Sequence, residues 1–184
     1  LRELFRLLTA GRRFDDVMIP FAAVATDLQT GELVVLRSGR LCDALVASTA
    51  VPGVFSPVAM DGRLLVDGGV VNKLPADVVA DLGADVVIAV DTGAPVRGGV
   101  STCLDAVLQA QRITSQHLTE LQLRRSSERL QGALLILRPA VRDIRMFGFV
   151  HAERAIQAGR DVARSHLDLL RQLIGDTPRD VASN

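Results

Sequence analysis

The chain is expected to fold as an α/β layered domain with a largely parallel sheet. Strand-like and helix-like stretches alternate along it, the pattern that builds such layers. Two strands, "DVVIAVDTG" and "GALLILRP", are apolar almost throughout, as strands covered on both faces by helices are. Each is set beside helical stretches. With 184 residues, 48% of them apolar, there is enough material for one sizeable core. No internal repeat, low-complexity tract or linker divides it.

The elements follow in order. "LRELFRLL" has helical spacing and reads as an opening helix. Arg12 to Asp16 is a polar connector. Ile19 to Leu28 is a buried strand, and "QTG" turns the chain into a returning strand, Glu32 to Arg37. Leu41, Ala44, Leu45 and Ser48 fall at helical spacing after a serine suited to turning or capping, and Pro52-Gly53 stops that helix. Asp61-Gly62 marks a second, two-residue hairpin between short apolar runs. "LPADVVADLGA" is a helix with Pro75 in its first turn and Gly83 at its end. Ser101 or Thr102 caps a long helix reaching about Leu130, with Ser101 taken as an N-cap. His151 to Ile174 forms an amphipathic closing helix, and "GDTPRDVASN" is a frayed tail.

Composition excludes several classes of function. Twenty-one basic residues balance twenty-one acidic ones, so the basic excess of a nucleic-acid binder is missing. Lys73 is the single lysine, which rules out an ordinary Walker phosphate loop, and "VVIAVDTGAPVRGG" lacks the glycine spacing of a dinucleotide fingerprint. Neither nucleic acid nor nucleotide is an expected partner. Cys42 and Cys103 have no metal spacing and read as small buried hydrophobes, and His117, His151 and His166 stand apart. No metal and no cofactor is expected. Without a disulfide framework a reducing compartment is the default, and no run of eighteen apolar residues spans a membrane.

The stretch "RLLVDGGVVNKLP", Arg63 to Pro75, carries the chemistry. A short apolar strand ends on Asp67, followed at once by Gly68 and Gly69. Asp-Gly is turn chemistry in its own right. A carboxylate at a strand end can equally serve as a general base, and two glycines permit positive φ or the close approach of another segment.

Four words in order, "PFAAVATDLQTGE", "ASTAVPGVFSPV", "DGRLLVDGGVVNKLP" and "LGADVVIAVD", resemble the C-terminal half of a patatin-like phospholipase domain of the small bacterial branch. The resemblance is close from Phe14 to about Asp91 and loose beyond. It implies a three-layer domain with a largely parallel central sheet and its N-terminal part missing. It also implies that Asp67, Gly68 and Gly69 form the family's Asp-Gly-Gly/Ala motif, with Asp67 the catalytic half of a Ser-Asp dyad. The family's glycine-rich oxyanion loop and its Gly-x-Ser-x-Gly elbow do not occur in this sequence. The nearest approach, "GVSTC" around Ser101, lacks the second glycine. Ser48 lies in a family word but packs near the floor of the site, so no residue here is assigned as nucleophile.

The expectation is therefore a lipid acyl hydrolase of which this chain carries only the aspartate, with 1–175 the C-terminal portion of the domain and 176–184 a flexible tail. Its substrate is a lipid or ester, and it is cytoplasmic, with transient peripheral contact at a membrane surface; the charges of "LQLRRSSERL" read as a solvated helix face. The fragment alone is expected to be inactive. The alternative is a non-catalytic module that keeps the fold and binds or regulates without a nucleophile.

Overall fold

The structure is a computed structural model and describes residues 1–93, 99–141, 143–144 and 149–175. It resolves into two compact units, one formed by Leu1–Pro75 and the described residues of Gly98–Thr119, the other by the described residues of Ala76–Arg97 and Glu120–Asn184.

The first unit is built on two hairpins. Strands β1 (Ala23–Asp27) and β2 (Leu33–Leu36) form one, and β3 (Val58–Met60) and β4 (Arg63–Asp67) the other. β1 also pairs antiparallel with β4, in the register Ala25 to Asp67, giving the strand order β2-β1-β4-β3. The β3–β4 turn has positive φ at both central residues, 50° at Asp61 and 75° at Gly62, the geometry whose twist matches a two-residue hairpin. The β1–β2 turn is closed by Asp27: its side chain accepts from Gln29 N–H at 3.0 Å and its carbonyl from Gly31 N–H at 2.8 Å. Arg63 Nη1 then bridges the buried Asp27 Oδ2 at 3.2 Å and Glu32 Oε2 at 3.3 Å, which locks the two hairpins in register.

Helix α1 (Arg2–Thr9) precedes the sheet, and an ion pair from Arg2 to Asp43 ties it to α2 (Leu41–Ser48). α2 packs on β1 and β4 through the small residues Ala44 and Ala47, so the helix axis can come close. Ala25, Ala47 and Leu65 form the centre of one apolar cluster, flanked by Val34, Leu36, Val58 and Met60. Phe14, Ala23, Leu41 and Ala44 form another, where Phe14 stacks on Phe21 with ring centroids 5.7 Å apart. The long helix α4 (Cys103–Arg129) adds its residues up to Thr119 to this unit.

In the second unit, α3 (Ala76–Asp81) leads into β5 (Val87–Val90), which pairs parallel with β6 (Leu134–Leu137). Helices α5 (Ala152–Ser165) and α6 (Leu167–Gly175) follow.

The fold is mixed α/β, as expected, but a largely parallel central sheet is not what forms. The four-stranded sheet is antiparallel throughout, and among the described residues only β5 and β6 run parallel. The reason lies in the turns: connections as short as Asp61-Gly62 can join only antiparallel neighbours. β5 is not covered on both faces either, since Ile88 and Val90 are 45% and 48% exposed while Val87 and Ala89 are buried. β1 starts at Ala23, not Ile19, because Pro20 has no N–H for a ladder and Met18 and Ile19 stand exposed before it. The expected closing helix is broken at His166, where the backbone leaves helical geometry at φ −113°, ψ 9°. The tail from Asp176 onward lies outside the described residues.

Candidate active site

Asp67 ends β4 and simultaneously caps a single 3-10 turn, Gly68–Val70. Three hydrogen bonds fix its position. Its N–H donates to Ala50 O at 3.0 Å, its carbonyl accepts from the buried Thr26 Oγ1 at 3.0 Å, and its Oδ1 accepts from Gly69 N–H at 2.7 Å. The last bond is the turn chemistry that Asp-Gly spells on its own. Gly68 O then receives the N–H groups of Val71 at 3.1 Å and Asn72 at 2.8 Å, completing the reversal.

The two glycines serve different ends. Neither needs a positive φ. At Gly68 the constraint is space: a Cβ there would lie 2.5 Å from Val24 O and 2.7 Å from Val24 Cγ2, so the turn can lie on β1 only with glycine. At Gly69 a Cβ would meet Asp67 Oδ1 at 3.0 Å and otherwise nothing closer than Lys73 Cγ at 3.7 Å. Gly69→Ala is accordingly expected to leave stability within about 1 kcal/mol of wild type in thermal melts. The same change pushes the carboxylate aside; should Asp67 act as a base on an ester, kcat/KM is expected to fall about tenfold, because small displacements of reacting groups are costly.

Burial raises the Asp67 carboxyl above its ordinary value, while the Gly69 N–H and the ammonium of Lys73 pull it partly back. Burial prevails, so the group is a stronger proton acceptor than a solvated carboxylate.

The three motif residues are thus assembled in one turn. The "ASTAVP" word comes to the same place through its backbone, since Ala50 O accepts from Asp67 N–H and Ser48 is the last residue of α2. Ser101 plays no capping role through its side chain. Thr102 is the cap: its Oγ1 accepts from Asp105 N–H at 3.0 Å, and Asp105 Oδ2 accepts from Thr102 N–H at 3.0 Å and from Ser101 N–H at 3.4 Å. Cys42 is buried in α2 as expected, whereas Cys103 is exposed. Sequence reasoning gave no role to Lys73 or to Ser115 of α4, whose hydroxyl donates to Gly69 O at 3.1 Å. Nothing in the spelling of α4 links Ser115 to a turn 46 positions earlier. Among the described residues no cluster of three or more His, Cys, Asp or Glu side chains could hold a metal ion, and no helix is long and apolar enough to cross a membrane.

A family model described as patatin-like phospholipase matches residues 2–80, which include the whole Asp67 turn. This segment belongs to the patatin-like phospholipase family. An uncharacterized NTE family protein of Mycobacterium tuberculosis is 47% identical over 76 residues, 41% of this chain and 21% of that protein. Patatin-like phospholipase domain-containing protein 7 of Rattus norvegicus is 40% identical over 84 residues, 45% of this chain and 6% of that protein. Patatin-like phospholipase domain-containing protein 6 of Mus musculus is 35% identical over 98 residues, 52% of this chain and 7% of that protein. The chain therefore aligns with about a fifth of the mycobacterial relative and under a tenth of the mammalian ones. In the patatin-like segment the sheet, α2 and the Asp67 turn form one connected set of contacts, and α4 lies outside the matched residues.

Proposed function

We propose that Asp67 is the base of a Ser-Asp dyad in a lipid acyl hydrolase, and that the serine is carried outside residues 1–184. The observation that carries the reading is a partly buried carboxylate, fixed by Gly69 N–H at the end of β4, within a segment that belongs to the patatin-like phospholipase family. With Oδ1 engaged by Gly69, Oδ2 is the oxygen that takes the proton of the serine hydroxyl as it attacks the ester carbonyl. Asp67 returns that proton to the departing alcohol. It then draws one from the water that attacks the acyl-enzyme and passes it to the serine oxygen as the acid departs, which regenerates both groups. Backbone amides outside this chain hold the oxyanion. The substrate class is a carboxylic ester of a lipid, met at a membrane surface.

A serine-reactive fluorophosphonate tests this reading. Residues 1–184 alone are expected to remain unlabelled and to show no esterase activity, because a base without its nucleophile retains little of the pair's effect. The polypeptide that includes a Gly-x-Ser-x-Gly elbow is expected to take one label at that serine. A label on Ser48 or Ser101, lost with activity on change to alanine, would place the nucleophile inside this chain and overturn the proposal. Absence of label and activity from any polypeptide carrying the segment would favour a non-catalytic module.

A further inference from the structure

We propose that Ser115, on α4, is a positioning residue that holds the Asp67 carboxylate through Gly69. The inference rests on the reading of Asp67 as a base, but its test does not depend on hydrolysis.

A buried serine in a helix ordinarily returns its hydroxyl to a carbonyl one turn back. Thr119 does this one turn later in the same helix, with its Oγ1 donating to Ser115 O at 2.7 Å. Ser115, 8% exposed, instead donates out of the helix to Gly69 O at 3.1 Å. Gly69 is the residue whose N–H donates to Asp67 Oδ1. Both peptide groups of Gly69 are therefore engaged, one by the carboxylate and one by α4.

The need for such a brace follows from the sequence of the turn. Gly68 is fixed by its packing on Val24, but Gly69 has open space around its α-carbon apart from Asp67 Oδ1 and the stem of Lys73. A glycine without steric restraint rotates freely. Rotation at Gly69 swings its N–H off the carboxylate and lets the side chain leave its orientation. The bond from Ser115 opposes that rotation, because the adjoining carbonyl must break it first. Supporting residues of this kind keep a catalytic group within tolerance. Ser115 lies outside the segment that belongs to the family, so the brace is supplied by the part of the chain that the family match does not include.

The experiment compares wild type, Ser115→Ala and Thr119→Ala in the intact polypeptide. It follows amide hydrogen exchange at Gly69 and the titration of the Asp67 carboxyl carbon by NMR. Losing one neutral hydrogen bond is expected to speed Gly69 exchange about fivefold in S115A. The Asp67 midpoint is expected to move upward, since the Gly69 N–H that favours the ionised form is no longer held on it. Thr119→Ala removes a buried hydroxyl from the same helix without touching the turn, and is expected to change neither quantity. Ser115→Cys, close in size but a weak donor, gives the same comparison should S115A not keep the wild-type spectrum, and Ser115→Thr is expected to restore both readouts. Wild-type exchange and titration in S115A, or equal changes in T119A, would overturn the proposal. A carboxyl that shifts in S115A beside an Asp67→Asn variant with normal turnover would instead keep the brace and remove the catalytic reading.

Discussion

Asp67→Asn, in the polypeptide that carries the serine, is expected to lower kcat/KM for a short p-nitrophenyl ester by at least about a thousandfold, the range for removing a general base that works with a nucleophile. The amide keeps the shape of the carboxylate, and its oxygen can still accept from Gly69 N–H, so the turn survives. Stability is expected to move the other way. Burial raises the Asp67 pKa, which means the folded state binds its proton more tightly than the unfolded chain does. Between the ordinary carboxylate value and the raised one, the folded state carries more protons, so the contribution of Asp67 to stability falls as pH rises through that window. At neutral pH the full cost of the buried charge is present, and Asp67→Asn should melt at or above the wild-type temperature. That advantage should shrink as the pH is lowered through the raised pKa. In the proposed role as base, Asp67 acts in its ionised form, so activity should fall over the same interval in acid. Thermal melts and pH–rate profiles of the two proteins check both signs; near-normal turnover in the variant would take Asp67 out of the mechanism.

Gly68→Ala is expected to be the most damaging single methyl in the first unit, at about 3 kcal/mol or more. The added carbon would sit 2.5 Å from Val24 O and 2.7 Å from Val24 C. These are backbone atoms, and they have no room to retreat. β1 is held by β2 on one edge, where Val24 faces Val35, and by β4 on the other. Relief requires opening the β1–β4 pairing at Ala25 and Asp67, which also displaces the carboxylate. Chemical denaturation should show the loss in the midpoint, and a variant as stable as wild type would show that Gly68 does not rest directly on β1. The contrast with Gly69→Ala, mild for stability and costly for activity, separates the glycine that packs from the glycine that hydrogen-bonds.

Much of the local structure was legible because it depends on near neighbours. Asp61-Gly62 spells a turn with two positive φ angles, and the chain makes that turn. The apolar spacing from Leu41 to Ser48 gives α2 over those residues. Asp67 followed by two glycines indicates a strand end with a tight reversal, and the reversal forms with the side chain accepting from Gly69. Where the sequence misled, the missing information was long-range. Two strands as apolar as β5 and β6 suggested a largely parallel sheet, yet the hairpin strands pair among themselves in a separate antiparallel sheet. The cap of α4 is the exception, a local signal misread: Ser101 is the expected N-cap, but the Thr102-x-x-Asp105 spacing is that of a capping box, and Thr102 and Asp105 form one.

The sequence by itself determined that a carboxylate would stand at the end of a short strand beside two residues without side chains, because strand propensity, turn chemistry and the motif all act within a few residues. Only the tertiary structure decided why each glycine is there and what holds the carboxylate still. The approach of Val24 to Gly68, the bond from Asp67 N–H to Ala50 O and the hydroxyl of Ser115 on Gly69 O all join residues far apart in the chain. Contacts of that kind leave no mark on local spacing, since they depend on which surfaces the folded backbone brings together.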